Sequence, residues 1–150
     1  LYVSLNGEDT VAAVNVATQT VVGKAKVGDG PVQVFATPDG SSLVVANQGV
    51  EESPGVTISL VNSRNLTEIA KVDTGQGAHG VAIEPSGRYA YVTNLYDDTL
   101  SVIDLTALAT VATVSTGASP NGVRTFLESG CRRARDHPAD SLLFDYNPRV

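Results

Sequence analysis

Apolar residues along this chain come in short runs, never long ones, and polar or turn-forming clusters separate them at near-regular intervals. The runs include YVSL (2–5), TVAAVNV (10–16), TVVGKAKV (20–27), VQVFAT (32–37), SLVVAN (42–47), VTISLVN (56–62), TEIAKVD (67–73), GVAIE (80–84), YAYVTN (89–94), TLSVID (99–104) and TVATVST (110–116). Each is too short for a helix of ordinary length and rich in valine, whose branched Cβ suits a pleated strand. PDG (38–40) and PSG (85–87) predict tight turns, because Pro presets its own φ and Gly tolerates positive φ. NGED (6–9), QGVEESPG (48–55) and LYDD (95–98) read as polar loops. Short strands at this spacing, with turn signals between them, predict an all-β fold of antiparallel strands.

The runs also repeat. YVSLNGEDTVAAVN (2–15) and YVTNLYDDTLSVID (91–104) align without a gap, and VVANQGVEESPGVTISLVN (44–62) joins them once five extra residues before Thr57 are allowed. Thr10, Thr57 and Thr99 then coincide, as do Asn15, Asn62 and Asp104. GDGPVQVFATPDG (28–40) matches GQGAHGVAIEPSG (75–87), and a third copy opens as GASPNGV (117–123). The period is about 42 residues, with four strands per unit, which is the arithmetic of β-propeller blades. Whole blades fall at about 31–75 and 78–117, with boundaries near 29 and 76. Three-quarters of a blade precedes them at 2–28, and one first strand follows at 120–126. About three blades are fewer than the four to eight that close a propeller, so the expectation is a partial or open propeller, a fragment, or a chain completed by self-association.

YVTN at 91–94, TLSVID at 99–104 and G-x-x-P-N-G-V at 117–123 resemble the YVTN-type β-propeller repeat family. The resemblance covers residues 1 to about 123. It implies a surface-layer, secreted or periplasmic setting, hence a location outside the cytoplasm. It also implies a more distant similarity to the haem d1 domains of nitrite reductases. For function it implies little, since a propeller is a scaffold for many activities.

Charge changes the picture at one place. The net charge of −6 disfavours nonspecific binding to nucleic acid. Residues 1–123 carry twelve acids and five bases, whereas residues 124–150 carry four acids and five arginines. The repeat stops where the charge turns. RTFLESGCRRARDHPADSLLFDYNPRV holds no lysine, the single Cys131 and no blade motif. Two readings of this tail stand side by side. One is a reading-frame slip or truncation. The other is a genuine extension, with a short helix over LESGCRRAR packing on the open blade. A chain that starts inside a strand-like run, without Met or a signal-peptide pattern, reads as a mature form or a fragment. No run is long enough to predict a transmembrane segment.

Candidate chemistry is sparse. His79 lies just before the innermost strand of a blade, where propeller loops crowd toward the central channel. Val32 and Asn121 hold its position in the other copies, so the repeat does not require histidine there. An imidazole at that place can ligate a metal or haem or act as a general base; the plainer reading is a hydrogen-bonded loop histidine. The pairs Glu8–Asp9, Glu51–Glu52 and Asp97–Asp98 recur in the loop between the second and third strands. They could form an acidic rim, but they lack the alternating oxygen ligands of a calcium loop and read first as solvated turns. Gly28, Gly30, Gly75 and Gly77 resemble a G-x-G phosphate cradle but lead into strands rather than helices. Ser86 has no G-x-S-x-G elbow around it. No residue is assigned as catalytic or as a metal ligand, and no cofactor is specified. The reading is a noncatalytic propeller repeat acting as a binding scaffold, with partner and ligand open. The alternative is a cofactor-binding propeller similar to haem d1 domains, with His79 near the channel.

Overall fold

The structure, a computed structural model, describes residues 1–125; what was expected of the arginine-rich tail past Thr125, including its short helix, lies outside the described residues. Three separate antiparallel sheets follow one another along the chain, as expected of an open propeller. The first holds β1 (Tyr2–Leu5), β2 (Thr10–Asn15) and β3 (Thr20–Lys26). The second holds β4 (Pro31–Ala36), β5 (Ser42–Val50), β6 (Ser53–Asn62) and β7 (Glu68–Asp73). The third holds β8 (Ala78–Ile83), β9 (Tyr89–Asn94), β10 (Thr99–Asp104) and β11 (Ala109–Ser115). We call them blades 1, 2 and 3. By the repeat alignment β1 is the equivalent of β5 and β9, so among the described residues blade 1 holds the second, third and fourth strands.

The alternation of each strand sends one set of side chains to each neighbouring blade. On β5, Leu43 and Val45 turn toward blade 1, where they join Val11, Ala25, Val27 and Val61 in one core cluster. Val44 and Ala46 turn the other way. With Ile58, Leu60 and Val72 they pack against Ala78, Val81, Ile83, Ala90, Val92 and Ile103 of blade 3. Most of these side chains are fully buried, and each large one contributes on the order of 1.5–3 kcal/mol of hydrophobic stabilisation. The runs that are apolar on both faces are thus explained: a middle blade has a blade on each side.

Two ends of the blades must be distinguished. The lower end carries the turns that leave β4 and β8 and the hairpins between third and fourth strands. In all three hairpins one side chain closes the turn. Asn15 Oδ1 accepts from the N–H groups of Ala17 and Thr18. Asn62 Oδ1 accepts from Arg64 and Asn65, and Asp104 Oδ1 from Thr106 and Ala107. These are Asx turns, in which a short side chain supplies the acceptor that a turn leaves missing.

The upper end carries the loops that enter β4 and β8 and those between second and third strands. NGED forms a single 3-10 turn, Asn6–Glu8. QGVEESPG departs from a simple polar loop. It prolongs β5 and β6 into a longer hairpin, with Gly49 opposite Pro54 and Val50 opposite Ser53. Once five extra residues are present they can pair with each other, and pairing satisfies backbone groups that a loop would leave to water.

Candidate functional site

The upper ends of the inner strands share an irregularity. Ala78 pairs with Asn94 and Val81 with Val92, so His79 and Gly80 together oppose the single residue Thr93. Blade 2 repeats this, with Val32 and Gln33 opposing Ala46. Both are β-bulges, which re-aim side chains and are frequent beside active sites. His79 is therefore the second residue of β8, inside the strand rather than just before it. The Gly80 N–H, freed from the ladder by the bulge, donates to Thr93 Oγ1 at 2.8 Å.

His79 is half-buried. Its Nδ1 is enclosed and has no hydrogen-bond partner among the described residues. Unpaired buried polar atoms are uncommon and call for an explanation. Two others exist among the described residues, Thr10 Oγ1 and Asn94 Oδ1. All three belong to the upper end.

Neighbouring inner strands are laced together around this position. Gln33 on β4 accepts a hydrogen bond from the Val81 N–H on β8. A Cβ at Gly80 would stand 3.1 Å from the Gly122 Cα, so residues 121–125 run beside β8. Thr125 Oγ1 donates to the Ile83 carbonyl at 3.1 Å. Above the bulge, Tyr96 lies over Gly77, where any side chain would clash with its ring, and its hydroxyl accepts from Gln48 Nε2 at 3.1 Å. Gln48, near the end of β5, and Tyr96, in the loop after β9, escaped the sequence reading because the repeat shares neither residue. The one signal was the glycine at 77, kept where Tyr96 needs the space.

The acidic residues have specific employment. Asp9 Oδ1 accepts from the Gly30 N–H at 3.0 Å, and Asp98 Oδ1 from the Ser119 N–H at 2.8 Å. Gly30, Gly77 and Ser119 are one repeat position with φ of 55°, 72° and 53°. In blade 2 the acceptor for Gly77 is instead the Gly55 carbonyl, at 2.8 Å. Asp97 Oδ2 accepts from the Gln76 N–H at 2.7 Å. The Asp9 carboxyl is held below its ordinary value by the Gly30 N–H and then by Lys26. Glu8 pairs with Lys24 at 2.5 Å in an exposed bridge, and Glu51 and Glu52 are exposed on the hairpin turn. Among the described residues no three His, Cys, Asp or Glu converge in a way that would hold a metal.

Asn47 and Asn94 act as internal ties. Asn47 Nδ2 donates to Thr57 and Ser59, both at 3.0 Å, and its Oδ1 accepts from the Gly28 N–H at 3.2 Å. A Cβ at Gly28 would come within 2.5 Å of this amide, which explains the glycine. Asn94 repeats the donor bonds, to Thr99 and Ser101 at 2.9 Å.

The lower end holds an open cleft of about 520 Å³ between blades 2 and 3, lined by Thr37, Asp39, Ser41, Ser86, Leu105 and Thr106 among others. Its polar groups are largely spent on each other. Asp39 accepts from Thr37 Oγ1 at 2.6 Å and from the Ser41 N–H at 3.0 Å, and these bonds, Thr37 first, bring its pKa to about 2. Nearby, Arg88 Nε and Nη2 both reach Asp104 Oδ2, at 3.1 and 3.0 Å, and the guanidinium lies 4.9 Å from the Tyr89 ring centre. The polar groups of the cleft are largely committed, whereas His79 Nδ1 has no partner among the described residues.

Residues 44–130 match the family model of the Cytochrome D1 heme domain. This chain belongs to that family. The distant similarity to haem d1 domains is thereby borne out, and the match includes His79, Gly80 and the Thr93 they oppose on β9. Among solved structures, the hydrazine synthase of Kuenenia stuttgartiensis superposes with a TM-score of 0.73 and 28% identity, over 81% of this chain and 34% of that one. Dihydro-heme d1 dehydrogenase NirN in complex with DHE superposes with a TM-score of 0.64 and 19% identity, over 79% of this chain and 25% of that one. The chain thus spans about a third and a quarter of the lengths of these two. A comparison with curated proteins finds no match.

Proposed function

We propose that this chain forms part of the channel wall of a haem-binding propeller, with His79 as the residue that meets the tetrapyrrole. One observation carries the reading. The family match spans His79, and this imidazole keeps a buried ring nitrogen unpaired among the described residues. Such a group would suit a haem, because an imidazole not committed to other bonds could hold its iron. Bound haem would supply redox chemistry at iron. The chain's own share is positional. Gln33, by accepting the Val81 N–H, fixes β8 against β4 and with it the height of His79.

The test is a titration of haem into the chain and into a His79→Ala variant, read by absorbance. A saturable shift of the haem band in the parent, lost in the variant, supports the reading. No shift in the parent removes it. The noncatalytic binding scaffold would then be the better account. For either reading we place the protein outside the cytoplasm, by family resemblance. No helix among the described residues is long and apolar enough to cross a membrane. Fractionation of the native host would check the compartment.

A further inference from the structure

The cleft at the lower end lies between the two four-stranded blades. Blade 2 supplies the turn after β4 and the start of β5, and blade 3 supplies the turn after β8 and the hairpin after β10. The two Pro-x-Gly turns meet at its edge, where a Cβ at Gly87 would stand 3.3 Å from Pro38 Cδ. Its volume of about 520 Å³ falls within the roughly 300–1,000 Å³ usual for small-molecule sites. The lining is unusual for such a site. Six of its ten residues carry a hydroxyl or a carboxylate, and none carries a positive charge.

Some of these polar groups serve as fixtures and others stay open. Thr37 Oγ1 and the Ser41 N–H both donate to Asp39 Oδ1, which holds the carboxylate in place. An ionised carboxylate has about four acceptor positions, so Oδ2 keeps capacity for a ligand. Ser42 and Thr106 are bonded through the main chain alone among the described residues. Each therefore keeps a hydroxyl that both donates and accepts. Beside them Leu60 and Leu105, which belong to the core between the blades, give the cleft an apolar floor.

This mixture discriminates among ligands. An anion would meet the Asp39 carboxylate with no lysine, arginine or histidine in the lining to offset it. An ammonium group only donates, and would leave the Ser42 and Thr106 protons without acceptors. A neutral ligand with adjacent hydroxyls answers every group, since each of its O–H groups donates and accepts. We propose that this cleft binds a saccharide. Neighbouring ring hydroxyls donate to Asp39, others exchange hydrogen bonds with Ser42 and Thr106, and a C–H face of the ring covers Leu60 and Leu105. The bonds that fix Asp39 beforehand lower the cost of ordering the site. Affinity is expected on the order of 1 mM, because each neutral hydrogen bond contributes little net energy in water. The site lies at the opposite end of the blades from His79, and it stands independently of what the channel holds.

Saturation-transfer difference NMR on the full chain tests this. The probes are glucose, galactose, mannose and N-acetylglucosamine, with glycerol as the simple polyol and putrescine as the cation. At least one sugar should show saturable transfer to its ring protons. Thr106→Val should weaken that binding about fivefold, the worth of one hydrogen bond, and Asp39→Ala should abolish it. No transfer to any of the four sugars, transfer that neither substitution changes, or transfer to glycerol or putrescine as strong as to the sugars would each overturn the proposal. The Thr106 hydroxyl bonds nothing among the described residues, so Thr106→Val decides even where Asp39→Ala fails to fold.

Discussion

The two ends of the blades arise from one repeat but use their polar groups differently. At the lower end, Asn15, Asn62 and Asp104 each accept two backbone N–H groups, Asp39 accepts two more bonds, and Arg88 is held by Asp104. At the upper end Asn47, Asp9 and Asp98 are equally committed, yet Thr10 Oγ1, His79 Nδ1 and Asn94 Oδ1 are buried without a partner among the described residues. The difference marks the upper end as the one where buried polar atoms remain without partners among the described residues.

Four experiments would break or sharpen the contrast. The largest effect on stability is expected from Asn47→Ala. The substitution removes the amide's bonds to Thr57, Ser59 and the Gly28 N–H, leaving that N–H with Ser59 Oγ alone, and should cost about 3 kcal/mol. Urea denaturation measures it, and a loss below a third of that would mean the upper end is looser than its bonds suggest. Asn62→Ala removes one Asx turn from an exposed hairpin and should cost about 1 kcal/mol by the same assay.

Acid should act next, mainly at the lower end. Asp39 and Asp104 titrate below their ordinary value of 3.8, Asp39 near 2, because hydrogen bonds favour the ionised form; Thr37 contributes most to Asp39 and the Ala107 N–H to Asp104. A carboxylate depressed by folding adds stability that is complete above its unfolded pKa and is lost as pH falls through the folded one. Melting temperature should therefore be level above pH 5 and decline from about pH 4 toward pH 2, and Asp39→Asn should flatten the last part of that decline. The smallest effect is expected from His79→Ala, within about 0.5 kcal/mol of the parent, since nothing among the described residues bonds to its ring. A large loss there would mean that His79 is structural and the contrast between the ends is misread.

Strand order and blade boundaries could be anticipated from the chain because both follow from local pattern. Valine-rich alternation sets the strands, and Pro-x-Gly and the Asx residues set the turns, each within a few residues of its cause. Interactions between blades could not be anticipated. Asp9 and Asp98 looked like one rim of paired acids, and only the placing of one blade beside the next shows them accepting from Gly30 and Ser119. His79 was singled out as a position the repeat leaves free. That it belongs to a bulge, with Nδ1 unpaired, depends on two residues facing one across the ladder, which no periodicity reveals.

The longer hairpin of blade 2 has a practical meaning. Its extension pairs Gly49 with Pro54 and Val50 with Ser53, is tied to the neighbouring loops by the Gly49 N–H on the Asp29 carbonyl and the Gly77 N–H on the Gly55 carbonyl, and leaves β5 paired with β4 and β6 with β7. Length has been added there at no cost to the neighbouring strands. Glu51 and Glu52 at its tip are thus a natural graft point: a fluorophore or an epitope inserted between them should ride on the upper rim beside the channel mouth while the blades behind it fold unchanged.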